Sequence, residues 1–290
     1  MRCESLKNTG NQNPRCYKGP IVGAFISERK FELSKTNILL KAQWDTLIQQ
    51  DTPDRVYPLY DKDDPAIVAQ REARAITSAS GKNHYAGSTP LSLSVDINKP
   101  GYYEIRQKLL EGLGDADVYV MWVTSEGYII GVENSDGDIE AVQASIYKNL
   151  MAADAYGATE KLQYTFTEEN PETDAANRYD AKPSAFNVFD VDGINDVELE
   201  EVSASATELV VKATIAGSEG TIPVTGLTEN TDWVMTGTGT ISNVSYDSAT
   251  QQYTFVTVGL INGDTLELAA PSTTSENYET PESLTVTAVA

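Results

Sequence analysis

The sequence predicts a mainly β chain of the α+β class, with one or two helices and two β-sheet domains. Three observations predict it. Short β-rich runs alternate with turn residues along most of the 290 residues. The texture becomes dense in Thr, Ser and Val after Phe186. The charge also shifts, because residues 183–290 hold sixteen Asp and Glu but one cation, Lys212, and such a shift marks a domain boundary.

These observations divide the chain into four parts. Residues 1–18 are polar and are expected to form a flexible N-terminal arm. Residues 19–170 form the first domain, residues 171–185 are an acidic and polar linker, and residues 186–290 form the second domain.

The first domain begins with a strand at 21–26, bounded by Gly19 and Pro20. Residues 37–48 fit either a strand or a short helix. The segment from Gln50 to Ser88 is irregular, with helical composition at 66–76. So long a connection inside a domain is unusual and tends to be functional, as a lid or a binding arm.

The rest of the first domain has clearer periodicity. Residues 89–97 alternate as a half-buried strand, and 102–113 carry the apolar stripe of a helix. The runs 117–124 and 127–133 predict a hairpin, and 134–138 a second turn. Two further strands are predicted at 139–150 and 159–167.

The second domain predicts an immunoglobulin-like β-sandwich. Seven short strands with turns every 8–12 residues or so are the usual form of that architecture. They are expected at 208–215, 220–225, 233–236, 239–246, 253–258, 265–269 and 283–289. The Cys…Trp…Cys pattern of antibody domains is absent.

Charge restricts the partners of the chain. A net charge of −22 repels both DNA and anionic membrane. Neither a signal peptide nor an apolar run of about 18 residues is visible. We therefore expect a protein made in the cytoplasm that has no membrane partner.

Catalytic and metal-binding patterns are sparse. His84 is the one histidine and has no nucleophile motif beside it. Cys3 and Cys16 fit two free thiols or a disulfide, and too few Cys and His are present for an all-Cys/His zinc site. Asp190, Asp192 and Asp196 are calcium candidates, although Ile194 and Asn195 break the EF-hand pattern. The other interpretation is an interdomain turn.

The remaining enzyme hypothesis is a glycosidase with paired carboxylates. Because the chain has 43 acidic residues, the sequence cannot single out one such pair. Trp122, Trp233 and the pair Tyr102–Tyr103 fit a sugar site, but buried strand aromatics explain them more simply. We expect no enzyme activity, no cofactor and no metal.

The order of elements resembles the major tail tube proteins of long-tailed bacteriophages. The insertion at 50–88, the helix at 102–113 and the hairpin-rich end carry the resemblance, and the run VYVMWVTSEGYIIG at 118–131 is similar to virion proteins of phages that infect Bacteroidetes. The resemblance implies a β-sandwich or split barrel with a flanking helix, forming rings that are usually hexameric.

In that family the rings stack into a tube through which DNA passes, and a long loop reaches the next ring. The resemblance therefore implies that 50–88 is the assembly loop. It also implies that the partners are further copies of the chain and other tail proteins, and that the location is the virion. The alternatives are another virion component (capsid decoration, connector or fibre) or a module that binds a glycan or receptor through Trp233, Tyr246 and Tyr253.

Overall fold

The computed structural model describes residues 20–60, 68–70, 73–77, 83–88, 92–96, 117–151, 161–170, 177–273 and 277–287. The chain divides into two compact units, one built mainly from residues before Asp192 and one mainly from Asp192–Ala290. Both are β-rich, which confirms the mainly β class. In these ranges no helix combines the length and apolar character needed to cross a bilayer.

The first unit contains thirteen described strands and the helix α1 (Lys41–Ile48). The strands are β1 (Ile21–Ser27), β2 (Glu32–Leu33), β3 (Tyr57–Tyr60), β4 (Val68–Gln70), β5 (Ala73–Thr77), β6 (Asn83–Ser88), β7 (Ser92–Asp96), β8 (Asp117–Thr124), β9 (Ile129–Glu133), β10 (Ile139–Glu140), β11 (Val142–Met151), β12 (Lys161–Glu168) and β13 (Arg178–Ala181).

Eleven of these strands form one curled antiparallel sheet. Its main strand order is β2-β10-β9-β8-β11-β12-β7-β4. Outside this order, β1 pairs with both β8 and β3, and β13 pairs with β9. Val120, Met121, Trp122 and Val123 of β8 are all buried, so both faces of this central strand are covered. One cover is α1, whose Trp44 stacks on Phe25 of β1 with ring centroids 4.1 Å apart.

The structure tests the sequence predictions for this unit. The hairpin of β8 and β9 is confirmed, with Gly127 at φ +75° in its turn. Residues 37–48 form a short 3-10 turn and α1, the helical alternative. The helical composition of 66–76 was misleading, because β4 and β5 lie there. The described residues of 50–88 include four strands, so this part of the segment is not irregular. The predicted helix at 102–113 lies outside the described residues.

The second unit is an immunoglobulin-like sandwich. Its strands are β14 (Asn195–Ser205), β15 (Glu208–Ile215), β16 (Trp233–Thr236), β17 (Thr240–Asp247), β18 (Gln252–Val258), β19 (Thr265–Leu268), β20 (Tyr278–Glu279) and β21 (Leu284–Thr285). One sheet has the order β17-β18-β15-β14-β20, and the other β16-β19-β21. In immunoglobulin nomenclature β14 to β19 correspond to strands A to F, and β21 corresponds to strand G. The two sheets then have the DEBA and CFG orders of a constant-type domain. β20 is an additional edge strand, parallel to β14.

Apolar side chains fill the core of the sandwich between strands B and F, where antibody domains have a disulfide. Trp233, on strand C, is buried and packs edge-on against Phe255 with ring centroids 4.8 Å apart. Val211 on strand B and Leu266 on strand F are fully buried in the same cluster. The predicted strand at 220–225 is wrong, since only a bridge between Thr214 and Pro223 occurs there.

Candidate functional site

The strands from β4 to β7 form two successive antiparallel pairs. At the base β4 pairs with β7, with Val68 opposite Ser94. Beyond the base β5 pairs with β6, with Ala75 opposite Tyr85 and Thr77 opposite Asn83. The register shifts between Ala73 and Ala75, as at a β-bulge. We call the four strands β4, β5, β6 and β7 together the ribbon.

The base of the ribbon belongs to the large sheet, and its outer part does not. β7 pairs with β12 along five residues, and β4 is the last strand of the sheet path. Among the strands that the structure describes, β5 and β6 pair only with each other. β5 has five residues and extends about 16 Å at roughly 3.3 Å per residue. The outer ribbon therefore presents two backbone edges with N–H and C=O groups.

β3, the strand that precedes the ribbon in the sequence, is held in place by described contacts. β3 lies beside β1, where Gly23 allows a close approach, since a Cβ on Gly23 would lie 2.6 Å from Cβ of Tyr60. The Tyr60 hydroxyl donates to the carbonyl of Val188 at 2.8 Å and also contacts the carbonyl of Val191. These contacts hold the strand that precedes the ribbon within the first unit.

The calcium candidates do not gather into a site. Asp190 ends a 3-10 turn and is exposed, Asp192 is exposed, and Asp196 is buried at the start of β14. No group of three or more His, Cys, Asp or Glu side chains suited to a metal occurs among the described residues. His84 lies in β6, with its backbone opposite Ile76.

A buried carboxylate that sequence reasoning missed lies in the second unit. Asp264 accepts backbone N–H groups from Thr238 at 2.8 Å, Gly239 at 2.9 Å and Ile261 at 3.0 Å. These hydrogen bonds, led by the one from Ile261, lower the pKa of Asp264. The carboxylate ties the turn between β16 and β17 to the loop before β19, a structural role. The Gly237-Thr238-Gly239 turn was the only sequence signal for it.

An open groove of about 440 Å³ lies in the first unit, lined by residues 126–127 and 182–188. Lys182 stands over the ring of Tyr128, with Nζ 4.9 Å from the centroid. Glu126 and Lys182 are the charged groups of its lining. None of the polar side chains that line the groove is buried, so the lining does not define a ligand.

Most of the aromatic side chains proposed for a sugar or glycan site are core residues, while Tyr102 and Tyr103 lie outside the described residues. Trp122, Trp233 and Tyr253 are no more than 4% exposed. Tyr246 is half-buried and packs on Tyr253 with ring centroids 4.8 Å apart. Trp233 and Tyr253 therefore present no face to a glycan, and Tyr246 is the partly exposed member of the three side chains proposed for a glycan-binding module.

No protein-family model matches the sequence, and no curated protein matches it either.

Proposed function

We propose that this chain is a structural virion protein that assembles into stacked rings, hexameric by analogy, forming the tail tube of a long-tailed bacteriophage. The observation that carries the proposal is the ribbon. Its base strands β4 and β7 belong to the large sheet, whereas β5 and β6 pair only with each other among the described strands, with β5 about 16 Å long.

A two-stranded ribbon is marginally stable by itself in water, because it buries little apolar surface. Both of its edges can add to a further strand through backbone hydrogen bonds. An identical copy supplies such strands at a fixed geometry, and a closed ring satisfies every edge in the same way. Self-assembly is therefore the function that this geometry favours.

Charge supports a conduit for DNA. The chain carries −22, and a negative wall repels phosphate, so that DNA passes without binding. In this proposal the protein is made in the cytoplasm of the bacterial host and resides in the virion. Its partners are further copies of itself and other tail proteins.

Negative-stain electron microscopy of the purified full-length chain tests the proposal. The wild type is expected to form rings or tubes as its concentration rises. A variant in which residues 71–90 are replaced by Asn-Gly loses β5 and β6 but keeps β4 and β7, and it is expected to stay a folded monomer.

The control changes Ser135 and Asp136 to Ala in the exposed turn between β9 and β10, and it should assemble as the wild type does. A wild type that remains monomeric at every concentration and salt would overturn the proposal. So would a shortened variant that still forms tubes.

A further inference from the structure

We propose that the outer face of the DEBA sheet binds the same face of a second copy of this chain. β18 defines the face, because Tyr253, Phe255 and Thr257 point into the core while Val256 and Val258 alternate with them. The two valines are 44% and 63% exposed.

Neighbouring strands extend the apolar surface. Val210 of β15 lies opposite Thr254 of β18 on one side and Ser203 of β14 on the other. The register of β14 shifts between Glu201 and Ser203, and Val202 at that bulge is 48% exposed. We call these four valines, residues 202, 210, 256 and 258, the valine face.

The same face carries Lys212, the single cation in residues 183–290. Lys212 follows Val210 at the next outward position of β15 and lies opposite Glu200 of β14. It makes no ion pair with a residue in the described ranges. Glu208, opposite Val256, lies at the other end of the face.

The opposite charges on this face favour a second copy of the chain as the partner. Two copies of a segment with sixteen acids and one base repel each other through most surfaces. At the valine face, Lys212 of each copy can form an ion pair with Glu200 or Glu208 of the other copy. A two-fold contact uses this pairing twice and covers the exposed valines of both copies.

The contact is small. Four strands spaced about 4.8 Å apart and about six residues long give an area on the order of 400 Å², below the roughly 800 Å² per partner of a stable complex. Free chains should therefore associate weakly through this face. Copies that a ring holds side by side should associate strongly through this face, because their effective concentration is high. This expectation rests on the proposed function.

Sedimentation equilibrium of the full-length chain measures the contact. Lys212→Glu and Val256→Thr are each expected to weaken self-association by about tenfold or more. Lys212→Glu combined with Glu200→Lys or with Glu208→Lys should restore it. The control, Val234→Thr, changes a valine that is 39% exposed on the other sheet and should have no effect. Thermal unfolding checks that every variant is folded.

An unchanged association constant in Lys212→Glu, or recovery in neither charge-swapped variant, would overturn the inference. Tubes that form regardless of the valine face would sink this inference and leave the proposed function intact. Weak association that depends on Lys212, with no ring or tube at any concentration, would support the valine face and reject the proposed function.

Discussion

The carboxylate of Asp264 occupies space that Gly237 leaves free, since a Cβ on Gly237 would overlap with Oδ1 of Asp264. Gly237 has a φ of +127°, which side chains other than glycine rarely adopt. A Cβ on Gly239 would likewise lie 2.9 Å from Oδ2. The Gly-Thr-Gly turn is therefore shaped around one buried acid.

Asp264→Asn is expected to lower the thermal midpoint of the second unit at pH 7, because an amide cannot accept three N–H groups as a carboxylate does. The folded pKa lies below the ordinary 3.8. The stabilisation is therefore fully present above pH 3.8 and is lost as the pH falls from there through the folded pKa. Urea unfolding at a series of pH values should show the difference from wild type shrinking in that acid range.

Asp247→Asn is the matched control. Asp247 also has a lowered pKa, through the N–H of Ala249 first and then the Thr250 hydroxyl, but it lies in an exposed turn. Asp247→Asn should lower the thermal midpoint much less than Asp264→Asn does. Equal effects of the two variants at pH 7 would contradict a special role for Asp264.

Tyr253 is expected to ionise only in strong alkali. Burial raises the pKa of Tyr253 to about 12, and its hydroxyl donates to the carbonyl of Val224 at 3.1 Å. The stabilisation by the neutral phenol is full below pH 10 and is lost as the pH rises through about 12. Ultraviolet difference absorbance follows the ionisation.

Tyr253→Phe should remove the tyrosine signal that titrates near pH 12. It should also cost about 1 kcal/mol in free energy of unfolding, because the Val224 carbonyl loses its donor. Tyr246→Phe is the control, since the Tyr246 hydroxyl makes no hydrogen bond to a described residue and the ring would keep its contact with Tyr253. A tyrosine that titrates near pH 10 in place of Tyr253 would contradict this assignment.

Strands with regular alternation were predictable from the sequence. β15 and β16 have the predicted bounds, because Leu209, Val211 and Ala213 alternate with outward residues and Trp233 begins a short apolar run. β14 was missed, since Asn195–Ser205 is acidic and its inward face includes Glu201 beside a bulge. Local composition cannot reveal a strand whose stabilisation comes from its neighbour.

The ribbon was predictable only as an insertion of unusual length. Residues 66–76 are rich in Ala, Gln, Arg and Glu, all good helix formers. Pairing with β6 and β7 outweighs that weak preference, and such pairing depends on register between distant residues. Asp264 was missed for a similar reason, because its partners lie 25 and 26 residues earlier in the chain.

Gly23→Ala is expected to destabilise the first unit by about 1–3 kcal/mol, through overpacking between β1 and β3. The added Cβ would lie 2.6 Å from Cβ of Tyr60 and 2.7 Å from the Leu59 carbonyl oxygen. Urea unfolding measures the change. Ser145→Ala, at an exposed position of β11, should leave the midpoint within error. A Gly23 variant as stable as the wild type would show that β3 can move away from β1 at little cost.

Ile76→Pro separates the assembly role of the ribbon from the stability of the unit that carries it. Proline removes a backbone donor at the position opposite His84 and is poorly tolerated in a paired strand. β5 and β6 lie beyond the paired base of the ribbon, so thermal unfolding should change little while electron microscopy shows rings and tubes lost.

Ile76→Val keeps the N–H group and the β-branched shape, and it should assemble normally. Tubes formed by the proline variant would mean that ribbon pairing plays no part in assembly. A large fall in its melting temperature would mean that the outer ribbon is integral to the first unit, against its assignment as an arm for a neighbouring copy.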